Sequence, residues 1–262
     1  MRQGLVLLAM LLVGMLAFLA LDLHWGGLLP TSGGWEILGE FMSAAWQPAL
    51  DYETPNVPRD WLPFTDQLLD AAWRTIVFAA AALGLSLLIG SPLGLMASSL
   101  APTWLRVPSR VLIALMRSVH ELLWAVVFLA AVGLNTAGAV LALTIPYAGT
   151  LAKIFSEMLD EAPQSPYRAL HLAGGTRMQA FFAGLLPRAA PDMAAYAFYR
   201  FECALRSAAV LGFFGYPTIG YYLRLSFENL HFHEVWTWLY LLVILVILLE
   251  AWSSALRRRF VA

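Results

Sequence analysis

Six apolar runs punctuate the chain, at residues 1–21, 68–98, 107–134, 136–155, 187–214 and 234–256. Each is close to or longer than the roughly 20 residues an α-helix needs to cross a hydrocarbon core. The pattern predicts an all-α, polytopic membrane protein with about six transmembrane helices. The first run follows Arg2 and exceeds the roughly 7–15 residues of a signal-peptide core, with no small-x-small cleavage pattern behind it. It is read as a retained span. About two residues separate the third run from the fourth, which predicts a helical hairpin.

The polar intervals divide the chain into three parts. Residues 1–67 hold the first span and an outer segment rich in Pro, Gly and acid. Within it Trp35, Leu38, Phe41, Met42 and Ala45 fall near one helical face, as in a short amphipathic helix at a membrane surface. Trp25, Trp35, Trp46 and Trp61 suit the interfacial belt. Residues 68–256 form the transmembrane core, and 257–262 a basic tail. Pro92 and Pro146 lie inside spans, where a missing N–H is expected to kink the helix. Lys and Arg placement sets the direction. Arg2, Arg106, Arg110, Lys153, Arg168, Arg177, Arg188 and Arg257–Arg259 fall on one side, against Arg59, Arg74 and Arg224 on the other. Positive charge collects in the cytoplasm, so both termini are expected there.

Composition agrees with the pattern. Of 262 residues, 60% are hydrophobic and 13% charged; a soluble domain carries about 25% charged residues. The net charge of −1 supplies no field for nucleic acid. Cys203 is the single cysteine, so no intrachain disulfide forms. His231 and His233 stand in an H-x-H-E sequence without further ligands nearby, and no metal site is expected. Nucleotide-binding and hydrolase motifs are absent from the sequence, so the chain is expected to hydrolyse nothing by itself.

The interval 165–187, "SPYRALHLAGGTRMQAFFAGLLP", has its own grammar. Ser165 and Pro166 open a short helix. Gly174 and Gly175 end it. Thr176 and Gln179 form a capping box for the next one. Two short helices meeting at a glycine elbow need a surface to pack on. The segment resembles the cytoplasmic loop of binding-protein-dependent ABC importers, whose pattern runs EAA, three residues, Gly, nine residues, then I-x-L-P. Ala169, Gly174, Leu186 and Pro187 hold that spacing, while Arg168 stands at the Glu position and Gly184 at the Ile position.

Two further segments narrow the resemblance to phosphonate/phosphite-type permease subunits, over roughly residues 68–256. "RSVHELLW" is similar to their R-x-x-P-E-L-x-W, with His120 for proline, and "YRFECALRSAAVLG" to their Y-R-x-E-x-x-x-R-x-A-x-V-L-G. The resemblance implies a type I ABC importer permease fold in the bacterial inner membrane. It implies that residues 165–186 are a coupling helix segment, with Arg168, Ala169, Leu170, Gly174, Gly175, Leu186 and Pro187 at the contact with a cytoplasmic ABC ATPase dimer. That dimer would hold ATP and Mg, with no cofactor on this chain. A second copy of the chain would complete the channel, a periplasmic binding protein would deliver the solute, and lipid would surround the spans. The implied cargo is a phosphorus oxyanion: phosphonate, phosphite or hypophosphite.

Arg117, His120 and Glu121 lie inside the third run, and Arg200, Glu202 and Arg206 inside the fifth. A charge at mid-span costs about 2.5–3.5 kcal/mol on insertion scales, so these residues must face protein or water. Arg117–Glu121 and Glu202–Arg206 are spaced i, i+4 and should share a helical face. They are either an ion-pair network fixing the bundle or the lining of a path and gate for an anion. Other readings remain open: an importer of phosphate, sulfate or a metal chelate, a proton-driven carrier using Glu121 or Glu202, or an assembly protein without a pore.

Overall fold

The computed structural model describes residues 2–21, 32–54 and 62–261. All the helices and tight helical turns named here belong to one of two compact units, Met1–Gln47 and Pro48–Ala262. The first unit holds α1 (Arg2–Ala20) and α2 (Ser32–Ala44), the latter over the stretch expected to be amphipathic. Trp25 and Trp61 fall outside the described residues.

The second unit is a helical bundle. Its helices are α3 (Phe64–Ala97), α4 (Thr103–Ser118), α5 (Glu121–Val132), α6 (Thr136–Glu161), α7 (Ser165–Leu172), α8 (Arg177–Ala180), α9 (Leu186–Val210), α10 (Ile219–Glu228) and α11 (Phe232–Val261). The expected spans map onto α1, α3, the pair α4–α5, α6, α9 and α11. Among the described residues, α3, α6 and the Phe232–Leu256 part of α11 are each long and apolar enough to cross a membrane alone, and α4 with α5 qualifies as a bent pair. The α1 stretch Gly4–Ala20 is apolar but shorter, and α9 interrupts its apolar surface with Arg188, Asp192, Arg200, Glu202 and Arg206.

The third run is not one straight helix. It breaks after Ser118 and turns by 84° before Glu121. His120 takes an extended backbone there, and its Nδ1 accepts the Leu122 N–H at 3.3 Å, capping α5. The break falls at the position where the resembling pattern carries proline. Arg117 and Glu121 therefore belong to different helices, and the expected common face does not exist. Pro92 and Pro146, by contrast, lie in helices that run through them without a break.

The bundle closes around α3 and α6, which meet along a seam of small residues. Gly90 and Gly94 of α3 face Ala148 and Ala152 of α6 so closely that a Cβ on either glycine would stand 2.8 Å from a carbonyl oxygen. Small residues let backbones approach when lipid offers no hydrophobic drive between helices. Ser86 bridges the seam by donating to the Thr144 carbonyl at 3.2 Å. Above it, Phe78, Ala79 and Ala82 of α3 join Ala142, Leu143 and Tyr147 of α6 and Ala204, Leu205 and Ala208 of α9 in the main core.

The segment between α9 and α11 contains α10. Gly212 and Gly220 bring the end of α9 onto the start of α10, backbone on backbone; a Cβ on either would overlap the other segment. Gly215 makes the turn with φ +96°, which glycine adopts without strain. Residues 48–54 cross to α11 and close its start. The His233 N–H donates to Glu53 Oε1 at 2.9 Å, and the Glu53 N–H donates to Glu234 Oε1 at 2.7 Å. This is the reciprocal bonding of a capping box, with the capping residue supplied from 180 positions away.

Candidate translocation site and coupling segment

The α4–α5 break is tied to α6 and α9 through Arg117 and Glu121. Gly149 of α6 makes room for α4: a Cβ there would stand 2.8 Å from Met116 Cβ and 3.0 Å from Arg117 Cγ. The Arg117 stem thus lies over α6. Glu121 opens α5 and reaches α9, where the Ser207 hydroxyl donates to its Oε1 at 2.9 Å. Tyr147 of α6 lies 2.9 Å from the same hydroxyl. Since Ser207 spends its proton on the carboxylate, the Tyr147 O–H donates to Ser207. A relay Tyr147–Ser207–Glu121 so ties α6, α9 and α5. His120 Nε2 stands 3.5 Å from the other Glu121 oxygen, Oε2.

On α9, the expected i, i+4 pair is present: Arg206 Nη2 meets the Glu202 carboxylate at 2.6 Å, with Glu202 buried. Arg200 has another seat. Its guanidinium carbon lies 4.4 Å from the centre of the Tyr147 ring, a cation–π contact worth about 0.5–2 kcal/mol according to its desolvation. Its Nε is buried and, among the described residues, has no hydrogen-bond partner. Tyr196 lines a cavity of about 630 Å³ between the end of α6 and the first half of α9, with Glu161, Arg188, Asp192 and Tyr199. The structure thus brings Glu121 beside α9 and seats Arg117 and Arg200 on α6, at Gly149 and Tyr147. Sequence reading missed Tyr147 and Ser207; their polar groups sit in apolar helices, a signal readable only once Glu121 is known to face them.

The second site is the segment 165–187. Gly174 has φ +93°. The Gly175 N–H donates to the Leu170 carbonyl at 3.1 Å and the Gly174 N–H to the His171 carbonyl at 3.2 Å. This is the double closure of a Schellman motif, which fixes the exit of α7. Thr176 and Gln179 make the expected capping box at α8. The helix cap is one residue earlier than expected: Gln164 precedes the helix and Ser165 is its first residue. A π-helical turn, Phe181–Leu185, then leads into α9, with Leu186 and Pro187 at its start. Gly184 lies against α7; a Cβ there would meet Tyr167 N at 3.0 Å and Leu170 Cδ1 at 3.1 Å. The glycine at the pattern's Ile position is thus what lets the short helix fold back onto the turn. Phe181, Leu185 and Ala189 seal the elbow to Leu159 of α6, with Tyr167 packed on them. Arg168, Ala169 and Leu170 remain on the exposed side.

The chain thus combines helices long and apolar enough to cross a membrane with a break that carries charge and a closed elbow between two of its helices. The chain belongs to the family described as binding-protein-dependent transport system inner membrane component, whose model matches residues 90–261. It is 36% identical over 152 residues to the phosphite transport system permease protein PtxC of Stutzerimonas stutzeri, covering 58% of this chain and 55% of that protein. It is 30% identical over 216 residues to the phosphate-import permease protein PhnE of Mycolicibacterium smegmatis, covering 82% of this chain and 41% of that protein. The chain spans about half the length of these two relatives. A chain of the MetNI methionine ABC transporter in an inward-facing conformation has a TM-score of 0.66, at 22% identity, over 74% of this chain and 96% of that one. That likeness is one of fold, and it is the importer permease fold expected from the sequence.

Proposed function

We propose that the chain is the permease subunit of an ATP-driven importer that carries a phosphorus oxyanion across the inner membrane. Two copies enclose the path, because one bundle supplies half of a two-fold channel. A periplasmic binding protein delivers the anion, and a cytoplasmic ATPase dimer, holding ATP and Mg, supplies the work. Both chain termini and the segment 165–187 face the cytoplasm, and lipid covers the apolar outer face of α11. The Arg117, His120, Glu121, Arg200, Glu202 and Arg206 cluster lies on the path or at its gate.

The observation that carries this reading is the elbow. Its Schellman closure, capping box and glycine seat join α7 to α6 and α9 as one stiff piece. A push on α7 must therefore move two core helices, which is what an ATPase-driven lever requires. ATP binding would shift the bundle between two packings rather than deform it continuously. The cargo is supported by the phosphite permease relative. A second reading, phosphate as cargo, is favoured by the mycobacterial relative.

The test is reconstitution of the chain with its ATPase and binding protein in lipid vesicles. ATP hydrolysis and uptake are measured with the binding protein loaded with phosphite, phosphonate, hypophosphite, phosphate or sulfate. Stimulation and uptake with the first three support the reading. Phosphate alone selects the second. Uptake that survives ATP depletion on a proton gradient refutes both.

A further inference from the structure

The α4–α5 break and α9 carry three guanidiniums and two carboxylates, and their partners are unequal. Glu202 is taken by Arg206 at 2.6 Å. Glu121 accepts from Ser207 at 2.9 Å and faces His120 at 3.5 Å. Among the described residues, Arg117 and Arg200 pair with no carboxylate. Arg117 and Arg200 against Glu121 leave one positive charge in excess per chain, His120 aside, and the Glu202–Arg206 pair is neutral in itself. Among the described residues two buried N–H groups, Nε of Arg200 and Nε1 of Trp124 on α5, also stand without an acceptor, and only the first belongs to a cation.

A buried donor on a cation is costly to leave unfilled, and such exceptions in folded proteins call for an occupant. Tyr147 supplies only the ring face, not an acceptor. Its hydroxyl is committed to Ser207, and through it to Glu121, so the ring is held in place by three helices. A cation–π seat is weaker than the paired, charge-assisted hydrogen bonds a guanidinium makes to phosphoryl oxygens. Arg200 therefore has a holding position and an unmet demand for a planar pair of anionic oxygens. Arg117 is the second unpaired cation, its stem against Gly149 of α6, two residues along from the Tyr147 that seats Arg200.

We propose that Arg200 is the anion-receiving group of the path for tetrahedral oxyanions, favouring the doubly charged ones, phosphite and phosphonate, over the singly charged hypophosphite. It leaves the Tyr147 face to fork two oxygens of the anion, Arg117 supplies the second cation, and the Tyr147–Ser207–Glu121 relay parks it between passages. Two copies of the chain bring two positive charges in excess, which neutralise a dianion and leave a monoanion overcompensated. Tyr147 is a positioning residue, since it acts through Arg200. The assignment rests on the importer reading above and deepens it, by naming the residue and the charge state it takes.

The experiment uses the whole reconstituted complex, with the binding protein saturated with phosphite, and reads anions imported per ATP hydrolysed. Arg200→Gln is expected to lower that ratio about tenfold or more, the order set by loss of a hydrogen bond to a charged group. Arg200→Lys keeps the charge and loses the planar fork, and is expected to lower it as well. Tyr147→Phe keeps the ring face and should lose less than Tyr147→Leu, which removes it. For the parent complex, the ratio should rise with pH as phosphite becomes a dianion. An unchanged ratio in both Arg200 variants overturns the assignment while leaving the importer reading intact. So does an equal loss in the two Tyr147 variants. Failure of the parent complex to import any phosphorus oxyanion overturns the importer reading itself, and the assignment with it.

Discussion

Substituting Gly90 and Gly94 by alanine, singly and together, probes the α3–α6 seam on which both sites depend. At Gly90 a new Cβ would stand 2.8 Å from the Ala148 carbonyl oxygen, 3.1 Å from Leu151 Cβ and 3.4 Å from Ala148 Cα. At Gly94 the corresponding distances to Ala152 O, Phe155 Cβ and Ala152 Cα are 2.8, 3.1 and 3.3 Å. The first obstacle in each case is backbone, which cannot rotate away as a flexible side chain would. Ordinary carbon–oxygen contacts lie at about 3.3–3.6 Å, so the helices must part by about half an ångström. A gap of that size forfeits roughly a quarter of each van der Waals well along the seam. Overpacking of this kind costs about 1–3 kcal/mol, and alanine returns about 1 kcal/mol of helix propensity. Each single variant should therefore lose about 1 kcal/mol, or on the order of 2–4 °C in Tm for a chain of this size. Once one alanine has separated the helices, the second meets less resistance. The double variant should lose less than the two losses added, by about 0.5 kcal/mol or more. Thermal unfolding of the purified chain in lipid nanodiscs measures all three. Alanines that raise Tm, or losses that simply add, would refute the close approach.

Three other outcomes follow from particular contacts. Glu53→Ala removes the acceptor for the His233 N–H and should cost about 1 kcal/mol, with faster hydrogen exchange confined to residues 48–54 and the first turn of α11. Burial, then the nearby Tyr222, Glu234 and Asp51, pushes the Tyr52 phenol above its ordinary pKa of 10.0. The folded state thus holds that proton more tightly, so its contribution is complete below the ordinary value and falls as pH rises past it. An alkaline loss of protection in residues 48–54 should appear in the parent and be absent in Tyr52→Phe. Gly184→Ile restores the residue type of the importer pattern but drives a side chain into Tyr167 N and Leu170 Cδ1. It should loosen α7 and lower retention of the ATPase on affinity purification, where a gain would contradict the glycine seat.

Local signals carried the sequence reading furthest. The capping box at Thr176 and Gln179 and the left-handed exit at Gly174 are set by residues within three or four positions, and both stand as expected. Glu202 and Arg206 also pair as their spacing implies. The break at His120 was hidden because hydropathy continues across it, although the polar string Arg117-Ser118-Val119-His120-Glu121 marked the place. A single helical face had been read there because i, i+4 spacing assumes a continuous helix. The contacts that complete the cluster lie beyond any local pattern: Tyr147 meets Ser207 across 60 positions, and Glu121 meets Ser207 across 86. The split capping box spans 180 positions and reads locally as two unrelated acids. Gly184 looked like a departure from a motif, and only its contact with α7 gives it a reason.

The lever is tested most directly by disulfide crosslinking. Cys203 is first replaced by serine, so that a single cysteine introduced as Ala169→Cys or Gly174→Cys is the only thiol on the chain. The variants are combined with an ATPase subunit carrying cysteines along the groove that faces the membrane, in vesicles supplied with the loaded binding protein. Efficient crosslinks that change with ATP and with hydrolysis are the expected result. Cysteines that never join the ATPase, or that react with an impermeant reagent from the outer side of the membrane, would contradict a cytoplasmic lever and the importer it drives.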